Sequence, residues 1–280
     1  MERATRVETL LAELTLEEKA ALMAGADLWH TVAVPRLGIG VLRVTDGPNG
    51  ARGTAFRGGP TSACFPCGSA LGSTWNPALV ERVAAALAEE TLAKGARVLL
   101  APTVNLQRTP IGGRNFECYA EDPELSARLT VAFVRGLQAR GVGACVKHFV
   151  ANDVEWERHR ASAEMDERTL REVYLVPFEA AVCEAGAWTV MAAYNRLAGT
   201  HCTEHPRLLT DILRGEWNFD GAVISDWIAT QSTAPSVIAG MDLEMPGPPR
   251  HYGTKIVDAV KRGELTETAV DACARRVLAL

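Results

Sequence analysis

Nowhere does the chain approach the ~18 consecutive apolar residues that a membrane-crossing helix needs, so no span is expected. Positive charge is not in excess either: 29 Lys and Arg stand against 34 Asp and Glu, a formal net charge of -5. A nucleic-acid binder needs a basic face to displace counterions, and that class of partner is not expected. The sequence has no G-x-G-x-x-G fingerprint and no P-loop, so no nucleotide cofactor is implied. A single CxxC pair, Cys64-Phe65-Pro66-Cys67, lacks the second pair or the spaced histidines of a zinc site. Redox or zinc use is the alternative there to two structural cysteines, and no metal is expected. The seven cysteines are an odd number, scattered through apolar runs such as Gly143-Ala144-Cys145-Val146. They read as small core residues of a reducing compartment. No signal-peptide core follows the amphipathic start at Met1–Arg6, and a cytoplasmic location is the expectation.

What is present is the composition of a globular domain, 48% apolar and 22% charged over 280 residues, enough to bury a sizeable core. Short apolar runs alternate with longer helical patterns. Candidate strands are Val41–Val44, Arg97–Leu100, Ala144–Val146, Trp188–Met191 and Ala222–Ile224, with Met241–Met245 as a weaker sixth. Continuous apolar runs of this length are the mark of buried parallel strands. Helix starts are explicit. Asn76-Pro77 and Asp122-Pro123 each supply a cap and a first-turn proline, Gly95 supplies a stop, and Thr15-Leu16-Glu17-Glu18 reads as a capping box. Two further helical patterns lie around Ile256–Arg262 and Glu267–Leu280. The alternation predicts an α/β fold with a parallel sheet, and the length suits a TIM-like (β/α)8 barrel, with an incomplete or irregular barrel as the alternative. No linker or internal repeat is visible, so residues 1–280 read as one domain.

The strand ends are polar. The first leads into Asp46-Gly47-Pro48, the third into Lys147-His148-Phe149, the fourth into Tyr194-Asn195 and the fifth into Ser225-Asp226-Trp227; the loop after the second carries Arg114-Asn115-Phe116-Glu117. In a parallel barrel such positions converge on one mouth. Each residue alone has a plainer reading: Asp46 as a turn former, Lys147 as a solvated strand end, Asp226 as a helix cap, Trp227 and Tyr194 as core. Four strand ends behaving alike favour a ligand site over four coincidences.

Several motifs, in order, resemble glycoside hydrolase family 3 β-glucosidases. They are Asp46-Gly47-Pro48-Asn49-Gly50-Ala51-Arg52, Cys64-Phe65-Pro66 running to Trp75-Asn76-Pro77, Gly113–Glu117, Glu121-Asp122-Pro123, Lys147-His148-Phe149, Ser225-Asp226-Trp227 and Leu243–Gly247. The resemblance implies the N-terminal barrel domain of a retaining, exo-acting enzyme that removes terminal β-D-glucosyl residues from a small β-glucoside or oligosaccharide. It implies that Asp226 is the nucleophile, and that Asp46, Arg114, Lys147 and His148 hold the hydroxyls of the terminal sugar. Arg52 is implied near that site, Tyr194 beside the nucleophile, Trp227 flanking the sugar and Met191 lining the pocket. No cofactor is implied. In the resembling two-domain enzymes the acid/base is a glutamate of a second, α/β sandwich domain. The expectation is that residues 1–280 are the barrel domain alone, with impaired turnover, an apolar face where that domain packs, and a tendency to self-associate.

The chemistry wants these residue types. Retention takes a carboxylate nucleophile and a second carboxylic acid about 5–5.5 Å apart. Hydroxyl groups need acceptors such as Asp46 and donors such as Arg114, Lys147 and His148. Three other readings compete: a Schiff-base aldolase built on Lys147, a single-domain β-N-acetylglucosaminidase using His159 on the loop 150–159 as acid, and a sugar-binding domain without turnover.

Overall fold

The computed structural model describes residues 2–55 and 58–280. The chain forms two compact units, one made of the chain up to Arg43 together with Thr203–Leu280, the other of Val44–Cys202. The discontinuous unit begins with α1 (Glu2–Glu13) and α2 (Leu16–Leu22). The capping box that starts α2 is complete: the Glu18 N–H donates to the Thr15 hydroxyl and the Thr15 N–H to the Glu18 carboxylate, at 3.2 and 2.9 Å.

The contiguous unit is an α/β layer. Its elements are β1 (Val44–Asp46), α3 (Gly68–Gly72), α4 (Pro77–Ala93), β2 (Val98–Leu100), α5 (Pro123–Gln138) and β3 (Gly143–Phe149). After them come the short β4 (Ser162–Ala163), then α6 (Glu167–Thr169), which runs through a π-type turn into α7 (Val176–Cys183). The unit closes with β5 (Thr189–Ala192) and the two-residue strands β6 (Arg196–Leu197) and β7 (Thr200–His201). Strands β1, β2, β3 and β5 pair side by side in that order, all parallel, with Val44 opposite Val98, Val98 opposite Gly143, and Val146 opposite Val190. Every residue of β2, β3 and β5 is buried, as a sheet covered on both faces requires. The helix starts are those the sequence marks. Asn76 accepts from the Leu79 N–H at 3.1 Å and Asp122 from the Leu125 N–H at 2.7 Å. Helix α4 packs on α5, and α5 on α7. The α4–α5 approach is close because Gly136 has no side chain; a Cβ there would lie 2.3 Å from the Glu81 carbonyl oxygen.

The remainder of the discontinuous unit holds a wide π-type helix (Arg207–Glu216), β8 (Ala222–Ser225), α8 (Ala234–Ala239), α9 (Thr254–Lys261) and α10 (Glu267–Leu278), with α10 packed on α1, α2 and β8. Two expected strands differ. Of Val41–Val44 only Val44 enters β1. The Thr31 N–H donates to the Leu42 carbonyl, and Arg43 bridges His30, so the 30–31 turn takes the pairing. Met241–Met245 makes single-residue bridges only, Leu243 with Ile224 and Glu244 with Ala24. The reason is chemical: the buried Asp242 carboxylate takes the Val223 N–H at 2.7 Å, a donor a regular ladder would use.

Candidate active site

Strand β3 carries its polar residues inside the ladder, not beyond it. Lys147 and His148 are 4% and 2% exposed, which removes the solvated-strand-end reading. A lysine so deeply buried needs a counter-charge. Its Nζ donates to Asp46 Oδ1 at 2.8 Å, and Asp46 is the last residue of β1. The Arg52 guanidinium stands 3.6 Å from the other Asp46 oxygen, on a loop that folds back through the Arg52 N–H to the Asp46 carbonyl. Gly47 makes this turn with φ +127, and a Cβ there would collide with the Gly50 carbonyl. Burial alone would raise the Asp46 carboxyl, but the charge and hydrogen bond of Lys147, helped by Arg52, outweigh it and hold the group below its ordinary value. Asp46 is therefore an ionised acceptor at neutral pH. An ion-paired lysine is also a poor Schiff-base amine, which needs a dry pocket without such a partner.

Arg114 reaches the same strand. Its Nη1 donates to His148 Nε2 at 3.2 Å, and its other edge meets Glu117 through Nε and Nη2 at 3.0 and 2.7 Å. Arginine only donates, so His148 Nε2 must accept. The opposite ring nitrogen, Nδ1, lies 3.1 Å from Asn105 Oδ1, an oxygen that also accepts the His148 N–H at 2.8 Å. His148 is thus neutral and protonated on Nδ1. Burial, then the charges of Arg114, Lys147 and Arg158, hold its pKa well below the ordinary value. Both ring nitrogens of His148 have partners within the protein.

Tyr194, two residues past β5, is 5% exposed and covered by the loop that follows β3. The Arg158 guanidinium sits 4.4 Å from its ring centre and the His159 ring 4.3 Å from it. Arg158 is in turn held by Glu155 at 2.7 Å. Sequence reasoning gave Arg158 no role; the Glu155–Arg158 spacing of three was the available signal. Met191 is buried within β5. The same loop carries Asp153, which accepts the Leu106 N–H at 3.0 Å and whose pKa burial pushes up to about 6. Between about pH 4 and 6 the folded chain therefore binds more protons here than the unfolded chain, so this residue's contribution falls as pH rises. Asp153→Asn keeps the acceptor and is expected to stabilise the chain by about 1–2 kcal/mol at pH 7 and by nothing below pH 4. Thermal melts of both chains from pH 4 to 7.5 check this.

In the discontinuous unit, Asp226 follows the last residue of β8 and is 8% exposed. Its Oδ1 accepts the Trp227 N–H at 2.7 Å. Trp227 packs on Trp29, ring centres 5.5 Å apart, an aromatic the sequence reading passed over. Ile228 holds a left-handed φ of +64, which a β-branched side chain adopts only under local strain. Asp226 caps no helix: α8 begins eight residues later, after Thr233.

Among the described residues no group of three or more His, Cys, Asp or Glu is placed to hold a metal ion, and no helix is long and apolar enough to cross a membrane. All seven cysteines are free thiols.

The glycosyl hydrolase family 3 N-terminal domain matches residues 10–280. The chain belongs to that family. A β-glucosidase of Rhizobium radiobacter is 54% identical over 98% of this chain and 34% of its own length, and a probable β-glucosidase I of Aspergillus clavatus 51% over 98% and 33%. A Kluyveromyces marxianus β-glucosidase solved in complex with glucose superposes with a TM-score of 0.96 at 46% identity, covering 98% of this chain and 33% of that one. The chain thus spans about a third of the length of the curated relatives it matches. The fold class follows as well: α/β with a parallel sheet.

Proposed function

We propose that this family 3 domain serves the hydrolysis of terminal, non-reducing β-D-glucosyl residues with retention of configuration. Asp226 attacks the anomeric carbon as the C–O bond to the aglycone breaks, and the aglycone leaves with that electron pair, taking a proton from a general acid when it is a poor leaving group. Water then cleaves the resulting glucosyl ester, regenerating the carboxylate and releasing glucose. Asp46 accepts from hydroxyl groups of the sugar. Lys147, Arg114 and Arg52 donate, while Trp227 and Tyr194 offer apolar faces and Met191 lines the site. The observation that carries this reading is the pairing of Lys147 and His148, both buried in β3, with Asp46 at the end of β1 and with Arg114, in a chain whose relatives bear the name β-glucosidase. Fixed charged donors and acceptors of this kind, each hydrogen bond contributing about 1.5–3 kcal/mol, suit a ligand rich in hydroxyls.

The test uses an activated glycoside, because a good leaving group needs no protonation. After incubation with 2,4-dinitrophenyl 2-deoxy-2-fluoro-β-D-glucoside, peptide mass spectrometry is expected to find a fluoroglucosyl ester on the Ser225-Asp226-Trp227 peptide. Binding of glucose without any adduct would instead make this a sugar-binding domain, and an adduct on another carboxylate would move the nucleophile.

A further inference from the structure

Glu117 belongs to none of the roles above, yet it holds the residue on which the β3 cluster turns. Both of its carboxylate oxygens face Arg114, one at 3.0 Å from Nε and the other at 2.7 Å from Nη2, a planar two-point pairing that fixes the guanidinium in orientation as well as position. The second oxygen also accepts from the Thr103 hydroxyl at 3.2 Å. Thr103 bridges Lys147, and the Val104 N–H donates to the Lys147 carbonyl at 2.7 Å, so Glu117 is tied to the strand it serves. Its backbone has no slack: a Cβ on Gly68 of α3 would lie 2.1 Å from the Glu117 carbonyl oxygen. The pair is mostly screened from solvent, with side-chain exposures of 14% for Glu117 and 23% for Arg114. On the far side of Arg114 stands His148, and beyond it Asn105.

We propose that Glu117 is a positioning residue, the anchor of a chain Glu117–Arg114–His148–Asn105 that sets the orientation of Arg114 and the Nδ1–H tautomer of His148. Glu117 touches no sugar hydroxyl in this scheme. It acts by denying Arg114 any other orientation. Its effect on ligand affinity rests on the reading of Arg114 as a sugar-binding residue; its effect on the histidine does not. Asn105 completes the arrangement, because its amide oxygen takes the His148 Nδ1 proton while its amide nitrogen donates to the His148 carbonyl at 2.9 Å. With Nε2 facing a guanidinium, the ring has one protonation pattern that leaves no donor opposed to a donor.

Two measurements on the 280-residue chain test this. The first needs no ligand: nitrogen NMR of 15N-histidine-labelled chain, with His148 assigned by its loss in His148→Gln. The parent is expected to show bare Nε2 and protonated Nδ1. Glu117→Ala is expected to give a mixed tautomer signal, and Glu117→Gln, which keeps one acceptor oxygen, an intermediate one. A parent-like His148 signal in Glu117→Ala overturns the proposal; if that variant does not fold, a parent-like signal in the near-isosteric Glu117→Gln does so. The second is glucose titration calorimetry. Glu117→Gln is expected to weaken binding roughly tenfold, and Glu117→Ala is expected to add nothing in an Arg114→Ala background. Additive losses would mark Glu117 as a general structural residue and overturn the proposal. A parent chain that binds no glucose would instead overturn the proposed function, and the NMR result would still decide the role of Glu117.

Discussion

Asp226→Asn is expected to abolish the fluoroglucosyl adduct and to lower kcat/KM on 2,4-dinitrophenyl β-D-glucoside by on the order of 10⁴-fold or more, about 5.5 kcal/mol of transition-state stabilisation. The size follows from the role proposed for the carboxylate. In that mechanism it supplies the bond that splits one difficult displacement into two, and an amide in its place is neither charged nor nucleophilic at carbon. Folding should be little disturbed, because the asparagine oxygen can still accept the Trp227 N–H. A companion variant separates chemistry from misplacement. Asp226→Gly with added azide should release dinitrophenolate again, as azide attacks the anomeric carbon and gives α-glucosyl azide. Stopped-flow release of dinitrophenolate, with the azide product identified by NMR, checks both. Unchanged adduct formation in Asp226→Asn would dismiss the nucleophile assignment, whatever the affinity for glucose.

The second large effect is on stability. Asp242 is fully buried and sits between two guanidinium groups: Arg214 donates to its Oδ2 at 2.6 Å and Arg276 to its Oδ1 at 2.8 Å. The Val223 N–H of β8 completes the set. One carboxylate therefore compensates two largely buried cations and ties a strand to α10 and to the π-type helix. Asp242→Asn leaves both guanidinium groups without a counter-charge, and a broken buried pair costs about 3–5 kcal/mol. At roughly 2–4 °C per kcal/mol for chains near this size, the thermal midpoint should fall by about 10 °C. Urea melts should show a lower midpoint with an unchanged slope. Replacing all three members together, Asp242→Leu with Arg214→Met and Arg276→Leu, should recover much of the loss, because no uncompensated charge remains. A triple variant as unstable as the single one would show that the network is needed for more than charge balance.

Local signals in the sequence were easy to read, and contacts across long separations were not. Asn76, Asp122 and Thr15 announce their helices because a cap acts on residues three positions away. The apolar runs of β2, β3, β5 and β8 stand out because both faces of those strands are covered. Charge usually terminates a buried strand, so the sequence predicts Lys147 at the end of β3, but it lies inside, made tolerable by Asp46 from 101 residues earlier. The partners that define the cluster share this property. Asn105 and His148 are 43 residues apart, and Asp242 meets Arg276 across 34. Glu117 stands three residues from Arg114, but nothing in a row of letters tells a largely buried ion pair of this kind from one that decorates a surface. Met241–Met245 departs from the strand its sequence predicts for a related reason: the buried Asp242 and Glu244 take backbone amides for themselves.

The division of the polypeptide bears on how it is made. Segment Val44–Cys202 is continuous and holds parallel strands β1, β2, β3 and β5, paired in that order, and their covering helices, so everything it needs to collapse is available once that stretch has emerged from the ribosome. The first forty-odd residues are in a different position. Helix α2 packs on α9 and α10, and Ala24 and Gly25 pair with Glu244, which is translated more than two hundred residues later. At the ~5–20 residues per second of translation, those early helices spend on the order of ten seconds or more with their apolar faces uncovered. A nascent chain arrested at about residue 240, with the middle segment clear of the exit tunnel and Glu244 not yet made, should therefore protect its middle from protease while its first forty residues are still cut.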